Sequence, residues 1–238
     1  MENQPHPGTQ WAKIQKAGLC PEIKTFADYT AKYLRQLEDA MDESMARGIL
    51  VPGPDEIAAF HQIVFDGIHP WAGQFRKSGQ SVICDGTIPG ADAHLIDPSL
   101  RHLKEETDSG LARAATDQDK VASIARYLGN LRRIHPFLDG NTRTAVVLLY
   151  GQMTALFGKR DRPAMASFEF KGMLRGAYEG NVTSLANCIL KEEGVPVLLG
   201  QQGEVEKAAP ALDSDMAAAY QDDRQRILDE QRYGKRRP

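Results

Sequence analysis

The chain has 238 residues, of which 42% are hydrophobic and 26% charged, and its formal charge is -3. That length suits one sizeable domain with an appendage, or two small ones. The charge balance excludes a global pull toward nucleic acid or an anionic membrane, and the longest apolar run, residues 145–150, is far too short to span a bilayer.

Residues 1–25 carry Pro5, Pro7, Gly8, Gly18 and Pro21 and read as an irregular lead-in without the basic-then-apolar pattern of a secretory signal. From Phe26 a helical period appears through Tyr29, Tyr33, Leu37 and Met41, and Gly48 with the Pro52-Gly53-Pro54 stretch ends it. Pro54-Asp55 opens a second helix with Ile57, Phe60, Val64 and Ile68 on one face, stopped by Pro70 and Gly73. Asp85-Gly86 between Val82-Ile83-Cys84 and Thr87-Ile88 predicts a hairpin within residues 77–89. Asp97-Pro98-Ser99 begins a helix that loosens at Asp108-Ser109-Gly110. Thr116-Asp117 then caps a strong one whose buried stripe is Val121, Ile124, Ala125, Leu128, Leu131 and Ile134. Asn141–Phe157 is apolar nearly all round, as befits the centre of a bundle. Two further helices are predicted at about 165–178 and 182–190. Residues 199–238 form a charged, partly helical appendage. The three cysteines, Cys20, Cys84 and Cys188, lack metal-ligand spacing and read as reduced thiols in a cytoplasm. The fold class is mainly α, with one small hairpin.

The chemistry is concentrated in His135-Pro136-Phe137-Leu138-Asp139-Gly140-Asn141-Thr142-Arg143. One helix ends before this loop and another starts near Asn141. The N–H groups of Gly140, Asn141 and Thr142 therefore sit at the positive end of a helix, where a phosphate binds well. Gly140 permits close backbone approach, Arg143 adds a forked cation for a second phosphate, and Asp139 offers a hard oxygen to Mg²⁺. His135 is the group whose ordinary pKa suits general-base work near neutral pH. Phe137 reads as a buried pin for the loop. Base, metal ligand, anion nest and cation within one loop describe a phosphoryl or nucleotidyl transfer site.

This loop resembles the Fic (Fic/Doc) family motif, in which His-Pro-Phe precedes an acidic residue, Gly-Asn and Arg at these spacings. Ile68-His69-Pro70-Trp71-Ala72-Gly73-Gln74-Phe75-Arg76 is similar to the segment ahead of that family's substrate-docking flap. The resemblance covers about residues 26–195 and implies a Fic-like helical bundle over 26–198, with a hairpin flap at 77–89 beside the active-site loop. It implies that His135 deprotonates a Ser, Thr or Tyr hydroxyl of a target protein docked on that flap. Asp139 would hold Mg²⁺, Gly140, Asn141 and Thr142 would cradle the phosphates of ATP or another nucleotide, and Arg143 would steady the departing diphosphate. AMP transfer is the commonest activity of the family; others transfer UMP, phosphocholine or phosphate.

The chain departs from the family pattern twice. Thr142 stands where Gly is commonest, and Val146 stands where strong AMP-transferring members carry a second arginine that holds the γ-phosphate. Val146 keeps open another donor, such as CDP-choline, or a degenerate domain that only binds a partner. No Glu of this sequence has Ser or Thr four positions before it, so the family's usual inhibitory helix is not expected here. A separate inhibitor protein acting through that salt bridge is disfavoured with it, whereas one that blocks the flap stays compatible. Delivery to another cell is compatible as well; neither nucleic acid nor membrane is expected as a partner.

Overall fold

The computed structural model describes residues 7–80, 82–84, 88–158 and 168–196, and these fall into two compact units. The described residues of the first unit are 7–75 and 137–158; those of the second are 76–136 and 168–196.

In the first unit, α2 (Phe26–Arg47) starts at a reciprocal cap: the Thr25 hydroxyl accepts from the Asp28 N–H while the Asp28 carboxylate accepts from the Thr25 N–H. It closes at Gly48, whose φ of 56° only glycine adopts without strain. Pro54 occupies the first turn of α3 (Pro54–Phe65), where its missing N–H costs nothing, and Glu56 reaches back to the Gly53 N–H at 2.8 Å. The sequence extends this helix to Ile68, but it stops at Phe65; Ile68 is fully buried in the following turn, its N–H donating to the Phe65 carbonyl. Both helices pack on α6 (Asn141–Phe157), which is buried without interruption from Thr144 to Met153. A β-carbon at Gly151 would lie 2.5 Å from the Ser44 hydroxyl, so α2 and α6 meet there at close range.

The stretch read as an irregular lead-in holds α1 (Pro7–Lys16) instead. Pro7 stands at the first helical position, where proline is favoured rather than disruptive. Ile14 joins Ile23, Tyr29 and Ile68 in an apolar cluster, with Trp11, Leu19 and Tyr33 packed against it. Burial of that face overrides the breaker residues.

In the second unit, α5 (Asp117–Ile134) packs against α4 (Ile96–Arg113), α7 (Phe168–Tyr178) and α8 (Val182–Glu192). Its Thr116 cap follows the sequence reading, and so does its buried stripe except at Ile134, which is half-buried at the end of the helix. Gly129 is a contact point, since a β-carbon would lie 2.9 Å from the Ala177 backbone of α7. Two corrections concern α4. It begins at Ile96, after a 3₁₀ turn at Ala93–Leu95, and it does not loosen at Gly110 but runs to Arg113. The Lys104–Asp108 pair and packing on α5 carry the helix through.

Strands β1 (Ile83–Cys84) and β2 (Ile88–Pro89) pair antiparallel, Ile83 opposite Pro89 and Cys84 opposite Ile88. Residues 77–80 form a turn, not a strand, with the Gln80 N–H donating to the Lys77 carbonyl. The joining residues 85–87, the predicted helix start at 165–167 and the appendage at 199–238 lie outside the described residues. Among the described residues no helix is long and apolar enough to cross a membrane.

Candidate active site

The two units divide the motif between Pro136 and Phe137. On the second unit's side, His135 caps the C-terminus of α5 with φ 52° and ψ 61°, and it is the sole non-glycine residue with positive φ among the described residues. Its side chain is buried, with 9% relative exposure. Arg132 Nη1 lies 2.6 Å from His135 Nδ1. A guanidinium can only donate, so Nδ1 must be the accepting nitrogen, and in the neutral ring Nε2 carries the proton. The backbone here is held by Arg76, itself buried. Its Nε donates to the His135 carbonyl at 2.8 Å, its Nη2 to Ala91 and Ile134, its Nη1 to Gln80, and its N–H to Pro136.

On the first unit's side, the loop enters through Phe137, which is fully buried and stacks on His61 at 3.7 Å between ring centroids. The Asn141 amide clamps it: Oδ1 accepts from the Phe137 N–H and Nδ2 donates to the Phe137 carbonyl, each at 2.9 Å. Gly140 then turns with φ 82°. A β-carbon there would fall 2.3 Å from the Phe65 ring, so packing as well as any ligand demands glycine.

His61 is the hidden member of this arrangement. The Gly73 N–H donates to its Nδ1 at 2.9 Å, which leaves Nε2 to donate to the Asp139 carbonyl at 3.1 Å. Burial, the largest influence, lowers its pKa to about 3 despite that bond, so the ring is neutral. Next to it, His69 donates from Nδ1 to the Gly18 carbonyl and stacks on Trp71, whose indole donates to the Ala17 carbonyl at 2.7 Å. The segment singled out around Trp71 thus fastens the α1 end to the first unit.

Asp139 and Arg143 form an ion pair at 2.9 Å, and Asp139 Oδ1 also accepts from the Gly140 N–H at 2.6 Å. Burial raises the Asp139 pKa, but Arg143 and the Gly140 N–H outweigh it and hold the carboxyl below its ordinary value. Burial works against the Arg143 charge, and Asp139 together with Tyr29 and Tyr33 more than restores it. Arg143 also donates to the Tyr29 hydroxyl at 2.8 Å and lies over the Tyr33 and Phe65 rings. It is therefore more enclosed than a solvated helix-end cation, with 25% of its side chain exposed. Of the three predicted phosphate donors, the Gly140 N–H faces its own loop carboxylate. The N–H groups of Asn141 and Thr142 lie in the first turn of α6, where no carbonyl four residues earlier is available to them.

Asp139 can take a cation. The Arg143 and Gly140 contacts both fall on Oδ1, and 40% of the side chain is exposed, which leaves carboxylate surface accessible. Among the described residues no group of three or more His, Cys, Asp or Glu could hold a metal alone. A single carboxylate completed by donor phosphates matches the habits of Mg²⁺.

The model of the Fic/DOC family matches residues 52–152, which include the whole motif. Residues 52–152 thus carry the likeness to the Fic/DOC family. It is 26% identical over 161 residues to a probable protein adenylyltransferase of Sinorhizobium fredii, covering 64% of this chain and 81% of that one. The Fic domain of a Bartonella effector protein, from Bartonella sp. AR 15-3, shares its fold with TM-score 0.56 at 15% identity, over 74% of this chain and 88% of that one. The BepC effector protein of Bartonella tribocorum, crystallised with bound AMPPNP, does so with TM-score 0.52 at 17% identity, over 71% and 88%. The mainly helical architecture is that of Fic domains.

Within the matched residues, Val146 is buried on α6 where the family resemblance leads one to expect a second arginine. Thr142 is half-buried in the first turn. Two residues escaped the sequence reading. His61 had a signal: it lies four residues after Ile57 and three before Val64, on the buried stripe of α3, where an unpaired polar ring is costly. Arg76 closed the segment likened to the family's, but its role was not readable, because its partners are backbone carbonyls.

Proposed function

We propose that this Fic/DOC domain transfers AMP, or another nucleoside monophosphate, from a nucleoside triphosphate to a Ser, Thr or Tyr hydroxyl of a target protein. The observation that carries this reading is the start of α6. Within one turn it offers first-turn amides, the exposed edge of the Asp139 carboxylate and the Arg143 guanidinium. The Sinorhizobium relative's name and the AMPPNP bound by the Bartonella protein support the same donor class.

In the proposed reaction the target hydroxyl oxygen bonds to the α-phosphorus, the bond from that phosphorus to the bridging oxygen breaks, and diphosphate leaves. His135 takes the hydroxyl proton. Since Nε2 carries the proton in the ring as held by Arg132, acceptance there requires the proton to move to Nδ1 and Arg132 to withdraw. Asp139 would hold Mg²⁺, which neutralises phosphate charge when bound. Asn141 and Thr142 would donate their N–H groups to phosphate oxygens, the Gly140 N–H joining them once it leaves Asp139, and Arg143 would face the diphosphate. The target chain would dock along the β1–β2 pair by backbone hydrogen bonds.

Val146 favours one second reading. An apolar residue leaves the γ-phosphate without its usual cation, so a donor joined through a diphosphate, such as CDP-choline, fits the same scaffold. Incubating the protein and a lysate with labelled ATP, UTP, GTP, CTP or CDP-choline tests both readings. Label from ATP on protein supports the first and label from CDP-choline the second. No label from any donor, with nucleotide still bound, would leave only a binding domain. Ile83→Pro should reduce protein labelling far more than nucleotide affinity; equal effects would dismiss edge docking.

A further inference from the structure

Arg76 lies in the second unit, has no part in the proposed chemistry, and is nevertheless a fully charged side chain with 5% exposure. Its contacts are concentrated on one short segment. The guanidinium donates to the carbonyls of Ile134 and His135, and the Arg76 N–H donates to that of Pro136. Three consecutive carbonyls at the end of α5 are thereby answered by one residue. Such carbonyls have no partner within a helix, and a cation is favoured at that end. The remaining arms tie the same point to Gln80 at 2.8 Å and Ala91 at 2.6 Å. The Ala91 N–H returns a bond to the Ile134 carbonyl at 3.0 Å.

His135 needs such a hold. Its left-handed backbone is disfavoured for any residue with a β-carbon and persists only when neighbours over-determine it. A second observation concerns Gly90. A β-carbon there would lie 3.0 Å from both Arg76 Nη2 and His135 Cβ, so the chain beside them is bare where the two side chains pass. The ring itself is addressed separately, by Arg132 at Nδ1.

We infer that Arg76 is the positioning residue of His135: it holds the peptide of the candidate base in the left-handed conformation from which the ring meets Arg132. This rests on the reading of His135 as the base, and only in its kinetic part. Lysine cannot replace it, because three donors on one atom cannot reach Gln80, Ala91 and His135 carbonyls as a planar fork does.

The test uses the full chain with isotope-labelled histidine, the His135 signals being identified by their loss in His135→Gln. In the wild type the two ring nitrogens should separate into a proton-bearing and a lone-pair signal. In Arg76→Lys they should converge as the tautomers exchange. In the transfer assay kcat should fall about tenfold to a hundredfold, with KM for the nucleotide within about threefold, since misplacing a catalytic group by about 1 Å has effects of that order. Added guanidinium ion should restore part of the loss in Arg76→Ala. Gly90→Ala should shift the His135 signals in the same direction, and it decides the matter with Arg76→Lys if Arg76→Ala does not fold. Separate wild-type-like signals in folded Arg76→Lys and Gly90→Ala overturn the proposal. Absence of transfer in the wild type would sink the proposed function, while the histidine signals would still decide the role of Arg76.

Discussion

The two ends of the motif are held by opposite means. At the end of α5 the exposed groups are carbonyls, and a buried cation, Arg76, answers them. At the start of α6 the fixing groups are neutral: the Asn141 amide on Phe137, and the uncharged His61 ring on the Asp139 carbonyl. The contrast has a physical reason. A helix C-terminus carries partial negative charge and welcomes a guanidinium, whereas an N-terminus that is to receive an anion is best tethered without adding acceptors to compete for its amides. The motif's charges at that second end, Asp139 and Arg143, are paired with each other. One end is thus built to hold a ring still, the other to fix a loop by neutral groups.

That comparison can be broken most sharply at His135. His135→Ala should lower transfer by about 10²–10⁴-fold, the usual contribution of a positioned base, while nucleotide affinity stays within about threefold. A parallel loss of binding would mean that the two ends are not separable in function. The next largest effect belongs to the neutral end. His61→Leu keeps the apolar volume but leaves the Gly73 N–H and the Asp139 carbonyl without partners, and should destabilise the protein by about 3 kcal/mol in denaturant titration. A change under about 1 kcal/mol would show that these groups find other partners. Asp139→Asn should weaken Mg²⁺-dependent nucleotide binding roughly tenfold, or about 1.4 kcal/mol, with little change when Mg²⁺ is absent. Equal weakening with and without Mg²⁺ would assign Asp139 to loop structure alone.

Much of this was legible before the structure, and the exceptions have a common cause. Amphipathic and all-apolar periods located α2, α3, α5 and α6, because burial of a face is written in spacing. Pro7 and Gly110 misled because a breaker's meaning depends on its place: Pro7 sits in a first turn, and Gly110 in a helix already held by α5. The motif exposed the residue types of the site but not their tethers. Phe137 was expected to pin the loop, yet its partner His61 lies 76 positions earlier (137 − 61) on another helix. Arg76 bonds to backbone, which every sequence supplies identically. Gly140 was credited with admitting a phosphate, whereas the Phe65 ring already forbids a side chain there.

The smallest effect follows from the neutrality of His61. In the unfolded chain this histidine takes a proton below its ordinary pKa of 6.5, while in the folded protein burial delays protonation until about 3. Between those values the unfolded state binds more protons, so stability falls as pH falls from 6.5 toward 3; above 6.5 the contribution is fully present. One such group should remove about 1 kcal/mol between pH 6.5 and 5.5. His69, also lowered by burial, adds a dependence of the same sign, and Asp139, held below its ordinary value, acts only at more acid pH. The comparison must therefore be made between the wild type and His61→Gln, in which the His69 part survives. Denaturant midpoints across that pH range should converge as pH drops, the variant losing about 1 kcal/mol less than the wild type. Parallel curves would mean that the His61 ring is protonated in the folded state. The α6 end of the motif would then be tethered by a charge after all, just as the α5 end is.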